Sequence, residues 1–354
     1  MYLNALKCVF PHSNKIISEL INQMYRRLFS INQTGKVSLL DYSQALSYMW
    51  NQMSEKEMRS AGLKNEYIER LIFARRDVNP ERELSLLLAK NIRLINQHDE
   101  AYPEPLKEIH DPPILLYVKG NAAILGRMHI AVVGTRTPSP YGKEMTERIV
   151  REMAPYDICV VSGLAYGIDT YAHAAAVDAN IPTIAVLGSG LGELEARSAS
   201  KLIHSLMEDN LVVTEYPYDV AAAKHTFPMR NRIIAGLSKA VVVVEARERS
   251  GALITAYSAR SENREVFAVP GSLLSDRSRG PYKLMENKSA HVFLSVRCMM
   301  EDLGIQPREY FETAREHSRL IASQCSMEEI EIYKSLERPL SVDDIVELLK
   351  LPVS

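Results

Sequence analysis

Six short and almost uninterrupted apolar runs recur along the middle of this chain. Strands that show no alternation of apolar and polar residues are buried on both faces, and the amphipathic segments between the runs suit helices that cover them. The pattern predicts an α/β fold, namely a Rossmann-like, doubly wound, mostly parallel sheet with right-handed crossovers. The runs are IAVVG (130–134), ICVVSG (158–163), TIAVLGSG (183–190), LVVTE (211–215), AVVVVEA (240–246) and EVFAVPG (265–271).

The other segments differ from this region in composition and divide the chain into four predicted parts. Residues 1–95 show helical spacing of apolar positions, which indicates an N-terminal helical (SAM-like) domain. Residues 96–296 form the Rossmann-like domain, which begins with a proline-rich bridge leading into an extended segment. Residues 297–326 are a charged linker, and 327–354 resemble an incomplete winged helix, a short helical stub.

Positive charge is concentrated in one stretch, although the formal net charge of the whole chain is −2. Two predicted strand-to-helix junctions fall in this stretch, and helix N-termini present unpaired amide groups that favour phosphate. A solvated helix face is the alternative explanation, but the location at strand ends favours a local anion site. The basic residues concerned are Lys224, Arg230, Arg232, Lys239, Arg247 and Arg249.

Two further strand ends carry residues suited to a ligand that approaches the backbone. After the first run, Gly134, Thr135 and Arg136 offer backbone amides, a hydroxyl group and a cation. After the second run, glycines flank the turn SGLAYG (162–167), where a ligand could come close to the main chain. Neither turn is GxGxxG, so the dinucleotide-binding fingerprint is missing. A purely structural role for the first turn stays open.

The segment before the fifth run combines an aromatic side chain with cations. Phe227 could stack on a nucleic-acid base, or it could fill the core. Carboxylates near a phosphate site repel the ligand unless they are neutralised. We therefore expect Glu215 or Glu245 to pair with Arg230 or Arg232.

Asp169 and His173 lie four residues apart and therefore on one face of a predicted helix. They could act as a base and a metal ligand, or Asp169 could stabilise the helix start and orient the histidine. The four cysteines form no CxxC pair, so we expect neither structural zinc nor a disulfide framework. No secretory signal or membrane-spanning apolar run is found, which favours a cytoplasmic location.

Taken in order, these segments resemble the DNA processing protein A (DprA/Smf) family over about residues 95–295. The matching signatures are YPEPLKEIHDPPILLYVKGN, VVGTRTPSPYG, SGLAYGIDTYAHAAAV, TIAVLGSGL, FPMRNRIIAGLSKAVVVVEARERSGALITA and REVFAVPGS. The resemblance implies a domain that binds single-stranded DNA, with no cofactor, metal or catalytic residue. It also implies protection of incoming strands in natural transformation, assistance in loading the RecA recombinase, and a homodimer formed through the Rossmann-like domain.

The resemblance further implies a DNA-binding pocket on named residues of this chain. Tyr166 stands where most members of the family have arginine, and it could stack or hydrogen-bond instead. Residues 193–200 stand where a Tyr-Pro pair is usual. The implied pocket residues are Gly134, Thr135, Arg136, Ser162, Gly163, Tyr166, Gly167, Lys224, Phe227, Arg230, Asn231, Arg232, Ser250 and Gly251.

An enzyme is the alternative function that the sequence leaves open. A nucleotide or nucleoside-phosphate hydrolase on a related Rossmann-like sheet would use Asp169, Glu215 and Glu245 as its candidate carboxylates. The PGGxGT-type signature of such hydrolases does not occur in this chain. The absence of this signature favours binding over catalysis.

Overall fold

The computed structural model describes residues 1–29, 39–60 and 62–308, and its elements follow the predicted alternation of strands and helices. The strands are β1 (Ile92–Asn96), β2 (Leu115–Gly120), β3 (Met128–Val133), β4 (Ile158–Ser162), β5 (Thr183–Val186), β6 (Leu211–Thr214), β7 (Ala240–Val243), β8 (Glu265–Ala268) and β9 (His291–Val292). The helices are α1 (Tyr2–Val9), α2 (Asn14–Phe29), α3 (Leu39–Asn51), α4 (Glu55–Ser60), α5 (Asn65–Asp77), α6 (Pro80–Ala89), α7 (Glu104–Lys107), α8 (Pro140–Glu152), α9 (Ile168–Asp178), α10 (Leu191–Glu195), α11 (Lys201–Glu208), α12 (Thr226–Leu237), α13 (Gly251–Ser261), α14 (Arg279–Glu286) and α15 (Val296–Asp302).

Within the described residues, nine strands form one sheet in the order β1-β2-β6-β5-β4-β3-β7-β8-β9. Neighbours from β6 to β9 are parallel, whereas β2 pairs antiparallel with both β1 and β6. All six predicted runs are strands of the parallel part, so the doubly wound α/β prediction is confirmed. The chain moves outwards from β3 to β6, and α12 then returns it to β7 on the other side of β3. This reversal is the topological switch point, where open α/β sheets bind ligands.

The strands are buried because helices cover both faces of the sheet. Leu211 and Val213 contribute to a hydrophobic cluster with α12 and α13, whereas Val212 between them faces a cluster with α11 and the N-terminal helices. Val241 and Val243 of β7 have no exposed surface. Each fully buried valine stabilises the fold by roughly 1.5–3 kcal/mol, and this packing keeps the strand ends in place.

The N-terminal helices share one of these clusters with the sheet. Leu6 of α1, Met49 of α3 and Ile68 of α5 are buried in the cluster that also contains Leu187 and Val212. The predicted boundary after residue 95 falls inside β1, which pairs with β2 at the sheet edge. A separately folding N-terminal domain therefore stays a prediction.

The described residues fall into two compact units. The larger one comprises residues 1–154 and 158–299 and contains all the strands named above. In the smaller one, the backbone N–H of Arg308 donates to the carbonyl oxygen of Pro155 (2.8 Å). The predicted stub at 327–354 and the predicted linker beyond residue 308 lie outside the described residues. Among the helices that are described, none has the length and apolarity needed to cross a bilayer.

Candidate functional site

A cavity of about 500 Å³, the primary cavity, opens at the carboxyl ends of β3 and β7. Its volume is typical of ligand sites, and its place at the switch point is where this fold binds ligands. Five cationic side chains line it, against one carboxylate, that of Asp169. Nine of the implied pocket residues meet here, namely Gly134, Thr135, Arg136, Lys224, Phe227, Arg230, Asn231, Ser250 and Gly251.

A larger cavity of about 930 Å³ lies at the opposite, amino-terminal edge of the sheet. Lys239 and Glu265 line it, next to the starts of β7 and β8. Three cationic side chains (Arg127, Lys239, Arg264) and three acidic ones (Glu100, Glu104, Glu265) line this space, so their charges balance. Size alone therefore does not select the site, because of these two cavities the smaller, primary one has the surplus of positive charge.

Arg136 and Phe227 form a cation–π pair on a wall of the primary cavity. The guanidinium carbon of Arg136 lies 5.4 Å from the ring centroid of Phe227, inside the range of about 6 Å in which such contacts attract. The ring is half-buried and packs close to the backbone at Gly188, where an added Cβ would come within 3.0 Å of Phe227 Cδ1. The pair therefore places an exposed cation on an aromatic ring of fixed position.

Three more cations surround this pair and are free for a ligand. Lys224, Arg247 and Arg249 are exposed and line the primary cavity. Within the described part of the chain, none of the three forms an ion pair with a carboxylate. Arg247 and Arg249 belong to the basic stretch seen in the sequence, but the implied pocket did not include them. The signal that identifies them is their position between the end of β7 and the start of α13.

The N-terminus of α13 faces the same cavity. The hydroxyl oxygen of Ser250 accepts a hydrogen bond from the backbone N–H of Ala252 (3.3 Å) and caps the helix. Gly251 is exposed, and a Cβ added there would meet no atom within 4 Å. The remaining amide groups and the partial positive charge of this helix end favour an anion in the cavity.

The N-terminus of α8, by contrast, is occupied by a side chain of the protein itself. Glu245 accepts hydrogen bonds from the backbone N–H of Ser139 (2.8 Å) and from its hydroxyl group (2.5 Å). A Cβ at Gly142 would lie 2.3 Å from the same carboxylate. Glu245 therefore takes the position that a phosphate occupies in dinucleotide-binding sheets. It pairs with Ser139 and not with an arginine, contrary to one of the pairings that we considered.

Arg230 is buried between α12 and the ends of two strands. One of its Nη atoms donates to the carbonyl oxygens of Gly163 (2.6 Å) and Val186, and its Nε donates to Asn231 Oδ1 (3.1 Å). Burial lowers the pKa of Arg230 to about 10, so the guanidinium stays charged at neutral pH. A Cβ at Gly163 would lie 2.5 Å from this group, so only glycine fits there. Arg230 thus holds the strand ends while it adds positive charge to the cavity.

Arg232 lies outside the primary cavity, although the resemblance placed it in the pocket. An Nη atom of Arg232 forms an ion pair with Glu215 (2.6 Å), and its Nε lies 3.2 Å from a carboxylate oxygen of Asp111. This agrees with the predicted pairing of Glu215 with an arginine. Because both charges are neutralised inside the fold, Arg232 is not available to a phosphate in the cavity.

Residues at the end of β4 and in the turn after it have different environments: some are buried in the core, and others line a second cavity. Ser162 is buried and donates to the carbonyl oxygen of Val132 (2.7 Å), so its hydroxyl group is not presented to a ligand. Gly167 has a φ of +88°, and a Cβ there would lie 2.3 Å from the carbonyl oxygen of Thr135. Gly163 and Tyr166 line a neighbouring cavity of about 210 Å³, the secondary cavity, which shares Arg136 and Phe227 with the primary one.

Asp169 and His173 are both buried and hydrogen-bonded within the fold. Asp169 accepts from the backbone N–H of Gly163 (3.1 Å), and His173 Nδ1 lies 2.7 Å from the hydroxyl oxygen of Thr183. Burial raises the pKa of Asp169, and it lowers the pKa of His173 to about 3. Among the described residues no group of three or more potential metal ligands comes together. Both side chains are engaged within the fold, but the predicted orientation of His173 by Asp169 is not what the structure shows, because the partner of the ring is Thr183.

The fold and the cavity define the class: a Rossmann-like α/β protein with a cationic site at the switch point of its sheet. Residues 93–304 match the family model of DNA recombination-mediator protein A. The chain belongs to this family of DNA-processing proteins, and the resemblance recognised in its sequence is confirmed.

Individual relatives agree with this assignment. Over 290 residues the chain is 37% identical to DNA processing protein DprA of Bacillus subtilis, a match that covers 80% of this chain and 95% of the relative. The X-ray structure of DNA processing protein A from Streptococcus pneumoniae matches with a TM-score of 0.64 and 33% identity, over 80% of this chain and 91% of that one. The protein from Helicobacter pylori, whose structure is described as revealing a single-stranded DNA binding mode, matches with a TM-score of 0.54 and 28% identity, over 60% of this chain and 95% of that one.

Proposed function

We propose that this protein binds single-stranded DNA at the primary cavity and catalyses no reaction there. One observation carries the proposal: Arg136 lies on the ring of Phe227 beside Lys224, Arg247 and Arg249, which have no carboxylate partner among the described residues. Cations that follow a backbone, next to an aromatic ring that accepts a base, are what flexible single strands require. The single-stranded DNA binding described for the Helicobacter pylori relative supports the proposal.

The binding mechanism combines charge capture with stacking. Lys224, Arg247 and Arg249 hold successive phosphates, and the amide groups at the start of α13 contribute partial positive charge. A base lies against Phe227, and a stacked base is worth about 1–3 kcal/mol. Stacking is tolerant of sequence because every base has a π-face, so the affinity for a mixed strand comes mainly from phosphate contacts and depends on salt.

The cellular role that we propose follows from the family. The protein protects incoming single strands in natural transformation and delivers them to the RecA recombinase in the cytoplasm, which fits the family's description as a recombination mediator. A homodimer that forms through the Rossmann-like domain would place two cavities on one DNA strand. Once the first cavity has bound, the second meets the same strand at a high effective concentration. We assign the dimer contact to the exposed edge strand β9 and to the neighbouring side chain of Leu294, which is 77% exposed.

The hydrolase alternative lacks a free catalytic carboxylate among its candidates. Asp169 is bonded to the turn at Gly163, Glu215 to Arg232, and Glu245 to Ser139. A general base must reach the substrate with an available oxygen, and these groups are engaged inside the fold. Incubation with nucleoside monophosphates tests this directly: we expect no release of free base, and a turnover that follows protein concentration would favour the enzyme.

Variants of the free cations test the proposed DNA site. Fluorescence anisotropy with a labelled thymine oligonucleotide at about 50 and about 200 mM salt gives the affinity and its salt slope. We expect Lys224→Ala and Arg249→Ala to bind more weakly. The slope of the logarithm of the binding constant against the logarithm of the salt concentration should become shallower by about 0.7 for each phosphate contact removed. Arg260→Ala is the matched control, because Arg260 is also exposed, lies on α13 and lines neither cavity. Wild-type affinity and slope in both test variants would contradict the proposal.

A further inference from the structure

The start of α10 lies against the loop that joins β6 to α12 (residues 215–225, the β6–α12 loop). The backbone N–H of Gly190, the N-cap residue of α10, donates to the carbonyl oxygen of Val220 in this loop (2.7 Å). A Cβ at Gly190 would clash with the carbonyl oxygen of Tyr218, so only glycine allows this close approach. The same loop brings Lys224 to the primary cavity, so α10 adjoins a segment that carries one of the DNA-binding cations.

The carboxylate of Glu195, the last residue of α10, joins this loop to the antiparallel edge of the sheet. The hydroxyl group of Tyr218 in the loop donates to Glu195 Oε2. Lys119 of β2 lies 2.6 Å from Glu195 Oε1, and Lys90, just before β1, lies 3.2 Å from Oε2. The side chains of Lys119 and Glu195 are only 13% and 20% exposed, so salt screens this ion pair less than a pair on the open surface.

The carboxylate of Glu195 is ionised at neutral pH. Burial alone would raise its pKa, but the hydrogen bonds from Lys119, Tyr218 and Lys90 outweigh burial and lower the pKa below its ordinary value. Glu195 therefore holds the tyrosine of the loop and the two lysines of the sheet edge as a charged acceptor.

A second carboxylate of α10 holds the far end of the loop. The backbone N–H of Ala222 donates to Glu193 Oε1 (3.0 Å). The hydroxyl group of Thr226 then donates to the carbonyl oxygen of Ala223 (2.9 Å) and accepts from its backbone N–H (3.1 Å). Thr226 has no exposed surface. The backbone is therefore fixed on both sides of Lys224, while the lysine side chain itself stays exposed.

We propose that Glu193 and Glu195 are positioning residues for DNA binding, which hold the β6–α12 loop so that Lys224 meets a phosphate at the primary cavity. The inference rests on the proposed function. Both residues lie in the segment 193–200, where this chain departs from the usual Tyr-Pro pair. Two carboxylates thus strengthen the binding of a polyanion.

The sign of the effect distinguishes positioning from simple charge. By charge alone, removing a carboxylate strengthens the attraction of the protein for DNA. By positioning, its removal weakens binding, because a loop that is no longer fixed must be ordered when the strand binds. The two explanations therefore predict opposite changes in affinity for the same substitution.

Glu195→Gln and Glu193→Ala are measured by anisotropy with the labelled thymine oligonucleotide. We expect each to bind about two- to tenfold more weakly than the wild type, the cost of ordering the released segment. Glu208→Gln and Glu208→Ala are the matched controls, because Glu208 is exposed on α11 and lines neither cavity. The controls should bind at least as tightly as the wild type. Test variants that bind as tightly as their controls would overturn the proposal.

Tyr218→Phe tests the same contact without changing the charge of the protein. It removes the hydroxyl group that donates to Glu195 and keeps the ring. We expect weaker binding than in Tyr67→Phe, the control on α5, whose tyrosine lines neither the primary nor the secondary cavity. Equal affinity of these two variants would contradict a positioning role for the Tyr218–Glu195 contact.

A double-mutant cycle with Lys224→Ala provides a readout that a merely structural role would not move. If Glu195 acts through Lys224, Glu195→Gln has little further effect once the lysine is gone. The double variant should then bind at least about twofold more tightly than the product of the two single effects predicts. Effects that simply multiply would show that Glu195 does not act through Lys224 and would overturn the proposal.

The outcomes also separate this inference from the proposed function. If the wild-type protein binds no single-stranded DNA, the proposed function itself fails. If the wild type binds and Lys224→Ala binds equally well, DNA binding stands while the positioning of Lys224 by α10 is wrong.

Discussion

Arg230 and Arg232 are two positions apart on α12, yet their side chains have different partners. Arg230 donates to the carbonyl oxygens at the ends of β4 and β5, and Arg232 binds Glu215 and Asp111. Two helical positions differ by about 200° around the axis, so the two side chains leave the helix on nearly opposite sides. At the residue scale, we therefore propose the exposed Arg247 and Arg249, and not Arg232, as contacts for phosphate.

Phe227→Leu tests the stacking ring at the residue scale. Leucine keeps an apolar contact near Gly188 but lacks a π-face for a base or for Arg136. We expect single-stranded DNA affinity to fall by about 1–3 kcal/mol, measured by anisotropy at constant salt. Phe73→Leu, at an exposed position, is the control. Equal affinity of Phe227→Leu and wild type would mean that the ring only fills the core.

The buried histidine of α9 predicts how stability changes with pH. Burial lowers the pKa of His173 from its ordinary 6.5 to about 3, with a further contribution from Arg230. Below pH 6.5 the histidine is therefore protonated in the unfolded chain but stays neutral in the folded protein. The free energy of unfolding falls as the pH falls from 6.5 towards 3. Each pH unit in this window costs up to about 1.4 kcal/mol.

Urea unfolding of the wild type and of His173→Gln across this pH window measures that contribution. We expect the wild type to lose more stability than the variant on acidification, because glutamine does not titrate. Parallel loss in both proteins would show that groups other than His173 carry the acid sensitivity; Asp169 is not one of them, because burial raises its pKa and its protonation on acidification favours the folded state.

At the scale of elements, α12 is held to the N-terminal region through Glu215. Asn14 of α2 donates to a carboxylate oxygen of Glu215 (2.9 Å), and Arg232 donates to the same oxygen. The buried ammonium group of Lys7 donates to Asn14 Oδ1 (3.1 Å), which extends the network. Because α12 also carries Phe227, this network links the N-terminal helices to the candidate site.

Arg232→Ala tests the network by leaving Glu215 buried without its main partner. Removing one member of a buried ion pair costs about 3–5 kcal/mol, so we expect a large loss in the free energy of unfolding by urea. Arg260→Ala on α13 serves as the exposed control. The double variant Arg232→Met with Glu215→Leu should lose less, because neither member of the buried Arg232–Glu215 pair is left without the other. A small effect of Arg232→Ala would contradict the structural role assigned to it.

The sequence predicted the strands of the sheet more completely than it predicted the residues of the candidate site. Buried parallel strands are continuous apolar runs, and this signal located β3 to β8. The orientation of Arg232 could not be inferred, since a basic helix face does not tell which cation has a buried acidic partner. Glu245 at the start of α8 and Arg197 over Tyr166 depend on contacts between distant segments, which local pattern does not encode.

At the scale of the whole molecule, the proposed homodimer depends on the β9 edge. Val292 and Leu294 are exposed apolar side chains there, and exposed edges pair readily with other chains. We expect Leu294→Lys to shift the protein from dimer to monomer in light scattering at micromolar concentration. Leu88→Lys on α6 is the control, since it adds the same charge to another exposed leucine. A dimer that persists in Leu294→Lys would place the interface elsewhere.

The path of the strand is tested most directly by photo-crosslinking with 5-iodouracil in single-stranded DNA, followed by mass spectrometry of the attached peptides. Iodouracil reacts with aromatic side chains on which it stacks, so the account predicts crosslinks to peptides that contain Phe227 or Tyr166, both lost when unlabelled single strand is added in excess. Crosslinks that fall only on peptides from the amino-terminal edge of the sheet, such as those around Lys239 and Arg264, would contradict it.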